Sequence, residues 1–153
     1  ANIAASKTIE EALQSIAQVE ATFISRGDDS GTHKKEKQLW RKAGVTPSGD
    51  WYVDVGQGMG AVLNIANEKL AYALTDRGTQ IAFADKTSLK VLFEGDVGLF
   101  NPYHVMAVNP SKHPGSRYDL AMKYIRFVTS KKGQEIIAGF RKGGQQLFYP
   151  DAE

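Results

Sequence analysis

The feature that most constrains this chain is a repeated alternation of short apolar runs with helix-like stretches. "ATFIS", "WYVDV" and "AYALT" each read as a strand, and a helical pattern or a turn follows each of them. Strands that alternate with helices predict an α/β fold with a mostly parallel sheet flanked by helices. Thr8 to Glu20 reads as an amphipathic helix. Thr8 and Glu11 are spaced as a capping box, and Ile9, Leu13 and Ile16 share one face. Ser30 to Ala43 reads as a second helix with Gly44 as its stop. In "WYVDV" the alternation places Trp51, Val53 and Val55 on one face, and a helix from about Ala61 to Lys69 follows. "LKVLFEG" and "YHVMAVNP" read as further strands, the second stopped by Pro110.

The last third has a different pattern. Leu120, Tyr124 and Val128, with Ala121 and Ile125, mark one face of a helix. Ser130 is placed to cap another helix whose Ile136, Ile137 and Phe140 turn inward, and "GGQQLFYPDAE" reads as irregular. The expected organisation is a ligand-binding α/β domain over residues 1–110 and a helical segment over 111–153.

Composition removes several classes of function. Without cysteine there is no thiol chemistry and no Cys-ligated zinc. His33, His104 and His113 are too scattered for a metal-ligand spacing. The net charge of +2 gives no support to a nucleic-acid partner. The basic run Lys34, Lys35, Lys37, Arg41 and Lys42 has no aromatic stacking platform beside it, and reads as a solvated helix face. No apolar run approaches the roughly 18 residues of a membrane span. No Ser-His-Asp order, paired carboxylates or phosphate-loop motif supplies a catalytic group, so an enzyme is not expected.

Two glycine-bearing turns remain as candidate sites. In "FISRGDDSGTHKKE" a strand ends at Ser25 and Arg26 and a helix starts at Ser30. A helix start carries unpaired N–H groups and partial positive charge, and so can hold an anion. Ser30 and Thr32 offer hydroxyls, Gly31 lets a ligand approach the backbone, and the planar fork of Arg26 suits an oxyanion. The alternative is a capped helix in which Arg26 pairs with Asp28 or Asp29. His33 is either a further donor or a solvated first-turn residue.

The second turn, "VGQGMGA", fits a dinucleotide fingerprint at Gly56, Gly58 and Ala61, with Asp76 about 20 residues on as a ribose partner. It fits equally a second helix start whose backbone at Gly58 and Met59 faces the same anion. Asp76 and Arg77 in "TDRGT" either line a cleft or cap the next helix.

Five segments, "SRGDDSGTHKKE", "WYVDVGQGMGAVLNIANEK", "YALTDRGT", "LFEGDVGLFNPYHVMAVNP" and "TSKKGQEIIAGF", together resemble the tungstate-binding proteins of bacterial ABC importers. These belong to the type II periplasmic binding proteins, and the likeness runs from about Thr8 to Ala152. It implies a two-lobed protein that closes on a tetrahedral oxyanion, tungstate or molybdate, outside the cytoplasmic membrane and delivers it to a transporter permease, with no cofactor. It also implies that Arg26 is the charge partner and Thr32 a hydroxyl and backbone donor. Ser30 and Gly31 lie in the same turn, and Gly58 and Met59 in the second. The Thr/Ser-rich motif of the family's other lobe is absent, so the sequence is expected to be the second lobe and C-terminal return segment, without the N-terminal lobe. A lone lobe is expected to bind weakly and to self-associate. A dinucleotide-dependent oxidoreductase using Gly56–Ala61 and an oxyanion-sensing regulatory domain are the rival readings.

Overall fold

β1 (Phe23–Ser25) is the centre of the chain's parallel sheet and is buried along its whole length. The computed structural model describes residues 1–152, which divide into two compact units, 1–100 and 101–152. In the first unit β2 (Tyr52–Asp54) and β3 (Tyr72–Ala73) flank β1 in the order β2-β1-β3. Register pairs Phe23 with Tyr52 and Tyr72, and Ile24 with Val53 and Ala73. Successive strand residues face opposite sides, so these two rows open onto two separate cores.

The Phe23 face carries α1 (Ile9–Gln18) and α2 (Gly31–Lys42), packed through Ile9, Ala12, Leu13, Ile16, Leu39 and Trp40. The Ile24 face carries α3 (Met59–Lys69) through Met59, Val62, Leu63 and Ala66. The helices fall on opposite faces for a topological reason. The chain moves outward from β1 to β2, then back across β1 to β3, and crossovers of one hand put the two linking helices on opposite sides. A direction reversal of this kind opens a crevice at the carboxyl ends of the strands.

Local signals hold at most helix starts. Thr8 caps α1 by accepting the Glu11 N–H at 3.2 Å. The reciprocal half of the box is displaced by one residue, because the Glu11 carboxylate accepts from the Lys7 N–H at 2.8 Å. Asp96 adds a distant cap, accepting the Ile9 N–H at 3.1 Å. Gly44, at φ +70°, follows the Ala43 C-cap of α2. α4 (Arg77–Phe83) is capped by Asp76.

Several expectations need correction. Trp51 does not share a face with Val53 and Val55. It lies in the turn before β2, where the Tyr52 N–H bonds to the Gly49 carbonyl, and packs on the Phe23 core. Neither "LKVLFEG" nor "YHVMAVNP" forms a strand among the described residues. Val91, Leu92, Val105, Met106 and Val108 are exposed. An alternating pattern becomes a strand only where an edge offers its hydrogen bonds.

The second unit holds α5 (Tyr118–Thr129), α6 (Lys131–Gly139) and a hairpin of β4 (Arg141–Lys142) with β5 (Gln145–Gln146). Ser130 serves both helices. Its N–H bonds to the Phe127 carbonyl at the end of α5, and its Oγ accepts the Gly133 N–H at the start of α6. On α5, Ala121, Ile125 and Val128 are half-buried, while Leu120 and Tyr124 are exposed. Ile136 and Phe140 are exposed rather than inward, and only Ile137 is half-buried. The tail is not wholly irregular. Gly143 and Gly144 both take positive φ, 55° and 75°, as a two-residue hairpin turn requires. Among the described residues no helix is long and apolar enough to cross a membrane, and no group of His, Asp and Glu is placed to hold a metal ion.

Candidate functional site

The two glycine turns leave the sheet side by side. β1 and β2 end at paired positions, Ser25 opposite Asp54. The Val55 N–H then bonds to the Ser25 carbonyl and the Gln57 N–H to the Arg26 carbonyl, each at 3.2 Å. Gly27 makes the approach possible. Its φ is +62°, and a Cβ there would lie 3.0 Å from the Asp54 Cβ and 3.2 Å from the Gly56 nitrogen. A side chain at this position meets both a left-handed backbone and rigid neighbours. Gly27→Ala is expected to cost about 2 kcal/mol of stability and to separate the turns. The check is urea unfolding together with loss of protection at the Gln57 amide.

The structure thus joins the turns that lead into α2 and α3 at the carboxyl edge, at Ser25–Gly27 and Asp54–Gln57. Ser30 is the N-cap of α2, its Oγ accepting the His33 N–H at 3.3 Å. Gly31 is exposed with open space over its Cα, and Thr32 is half-buried in the first turn. Gly58 caps α3 without a side chain and is likewise open. Met59 turns its side chain into the Ile24 core, which leaves only its backbone for the turn.

Arg26 adopts the paired state. Its Nε and Nη2 both donate to Asp28 Oδ2. Hydrogen bonds from Ser30 and then from Arg26 lower the Asp28 carboxyl to about 2, and Asp28 Oδ1 also accepts the Ser30 N–H at 3.1 Å. Asp28 therefore orients the guanidinium fork and offsets part of its charge. Asp29, at φ +57°, is held in the left-handed region by two contacts. Its N–H donates to His33 Nδ1 at 3.0 Å, and its carboxylate pairs with Lys37 at 2.7 Å. His33 is consequently not a solvated first-turn residue; it is buried and shapes the turn.

Sequence reasoning missed the polar group beneath these turns. Glu36 stands among the lysines of the basic run, yet it is only 2% exposed and its Oε1 accepts the Tyr52 hydroxyl at 2.6 Å. Burial raises the Glu36 carboxyl against the opposing hydrogen bond from Tyr52, and raises the Tyr52 phenol with Glu36 adding to it. The signal was spacing: 33, 36, 40 and 43 fall at helical intervals on the face that carries Trp40. Lys34, Lys37, Arg41 and Lys42 are exposed on the other side, as expected.

A model of the PBP superfamily domain matches residues 2–132. The chain belongs to the PBP superfamily. The tungstate-binding protein TupA of Peptoclostridium acidaminophilum is 45% identical over 92% of this PBP superfamily chain, and that of Campylobacter jejuni 43% identical over 96%. The chain spans about half the length of these curated relatives, 50% and 56%. Among solved structures, the tungstate ABC transporter of Geobacter sulfurreducens superposes with a TM-score of 0.81 at 57% identity. That alignment covers 91% of this chain and 59% of the other. The tungstate-binding protein TupA of Desulfovibrio alaskensis gives 0.79 at 42% identity, covering 95% and 61%.

The strand order of this PBP superfamily chain also bears on the glycine fingerprint. A dinucleotide fold places the ribose-binding acid on the strand beside the glycine turn. Here the glycines follow β2 and Asp76 follows β3, and β1 lies between them. Asp76 is moreover engaged as a cap, accepting the Thr79 N–H at 2.8 Å and the Thr79 hydroxyl at 2.7 Å. Arg77 pairs with Glu94.

Proposed function

We propose that this chain is a solute-binding component of an ABC importer that holds tungstate or molybdate at the starts of α2 and α3. The observation that carries the reading is the hydrogen-bonded pair of turns at Arg26 and Gln57 that lead into the two helix starts, in a chain whose relatives at 42–57% identity are named for tungstate. A tetrahedral dianion needs several donors aimed at one point. Backbone N–H groups at Gly31, Thr32, Gly58 and Met59, the Thr32 hydroxyl and the donors of Arg26 not used by Asp28 supply them. Donors fixed beforehand avoid an ordering cost on binding. Tungstate and molybdate are nearly equal in size and charge, so the site takes either. The chain's role is binding and delivery, with no catalytic step.

In this reading residues 1–110 are the second lobe and 111–153 the segment that returns to the first. The lobe works outside the cytoplasmic membrane and hands its anion to a permease. The first lobe supplies the remaining donors and excludes water, so the single lobe binds weakly. Calorimetry with tungstate, molybdate and sulfate on a two-lobed form is the test. Arg26→Ala is expected to weaken tungstate by roughly 10- to 100-fold, the loss of about 1.5–3 kcal/mol from a hydrogen bond to a charged group. A change within two-fold would remove Arg26 from the site, and equal affinity for all three anions would remove the assigned ligand.

A further inference from the structure

Glu36 occupies a place that stability alone does not account for. A buried carboxyl costs free energy in either protonation state unless fully hydrogen-bonded, and an apolar side chain of similar size beside Leu39 and Trp40 would carry no such cost. The group around it is also incompletely satisfied. Tyr52 donates to its Oε1. The Ser25 hydroxyl and the Trp40 indole lie against the same carboxyl, but neither completes a well-formed hydrogen bond.

The members of this group share one relation to the chain. Ser25 immediately precedes Arg26, Tyr52 is two residues before Asp54, and Glu36 is one helical turn beyond Thr32. The group therefore joins the last residue of β1 and the first residue of β2 to the second turn of α2. Asp54 in turn abuts Gly27, so a shift of α2 along the sheet would be felt at the contact between the two turns.

We propose that Glu36 is a positioning residue. Its hydrogen bond to Tyr52 fixes α2 against the start of β2, beside Ser25 at the end of β1, and so fixes the spacing between the Thr32 turn and the Gly58 turn. The purpose assigned to that spacing rests on the oxyanion reading above. Burial favours the neutral carboxyl, and glutamine reproduces its shape and its acceptor for Tyr52.

The experiment uses the whole chain, with amide hydrogen exchange by NMR in the absence of any anion. In Glu36→Leu the amides of Val55, Gln57 and Asp29 are expected to exchange at least roughly ten-fold faster, while those of α1 and α3 stay within two-fold. Glu36→Gln is expected to restore the native pattern, and Tyr52→Phe to reproduce the effect of Glu36→Leu. Uniform acceleration throughout residues 1–100 would reduce Glu36 to a structural role and overturn the proposal, as would unchanged turn amides in both Glu36→Leu and Tyr52→Phe. If Glu36→Leu does not fold, Tyr52→Phe against the native chain decides alone. Titration of the native chain with millimolar tungstate, read at the Gly31, Thr32, Gly58 and Met59 amides, is the separate arm. Local exchange effects without any tungstate-induced shift would sink the oxyanion reading and leave the positioning of the turns standing.

Discussion

Trp40→Ala is expected to destabilise residues 1–100 by about 3–5 kcal/mol, a large fraction of the total stability of a domain this size. Trp40 is 1% exposed and contacts three aromatic rings edge-on, with centroids 5.2 Å away at Phe23, 5.8 Å at Trp51 and 6.2 Å at Tyr52. Its removal leaves a cavity between α2 and the central strand that these rings cannot close without leaving their places on the sheet. The lost indole N–H accounts for little of this, since it has no hydrogen-bond partner among the described residues. Trp40→Phe should accordingly cost much less, on the order of 1 kcal/mol. Urea unfolding followed by circular dichroism, with Trp51 fluorescence as the local probe, measures both. A cost below about 1.5 kcal/mol for Trp40→Ala would show that the Phe23 core does not depend on this ring.

Gly133→Ala is the second large effect, about 3 kcal/mol against the α5–α6 junction. A Cβ at Gly133 would fall 2.1 Å from the Phe127 carbonyl oxygen and 2.7 Å from that of Val128. Both are backbone atoms of the last turn of α5, so no side chain can swing aside. Relief requires α6 to move away, which breaks the bond from the Gly133 N–H to Ser130 Oγ. Amide exchange across Tyr118–Gly139 is the measurement. Native protection at Ser130, Gly133 and Gln134 in the alanine variant would show that the junction adapts and that the close approach is not needed.

What could be read in the sequence had local causes. The caps at Thr8, Ser30 and Ser130 and the stop at Gly44 depend on hydrogen bonds and backbone angles within four residues, so residue type and spacing suffice. The Gly143-Gly144 turn was equally local and was overlooked; two glycines between polar residues are a hairpin signal in themselves. The candidate site was legible in part for the same reason. Strand, glycine turn and capped helix are contiguous in "FISRGDDSGTH", whereas the pairing of Arg26 with Asp28 rather than Asp29 was one of two open choices.

The sequence by itself determined the alternation of strand and helix, the ends of most helices and the residue types offered at both turns, because each of these is settled by neighbours along the chain. Tertiary structure alone decided that the turns of β1 and β2 stand side by side, that Asp76 lies across the sheet from the glycines, that Trp51 crosses to the Phe23 face and that Glu36 is buried. It also decided that two alternating segments find no strand partner among the described residues. Pairing, facing and burial are properties of elements far apart in sequence. Their free energies appear only when a second surface removes water from the first.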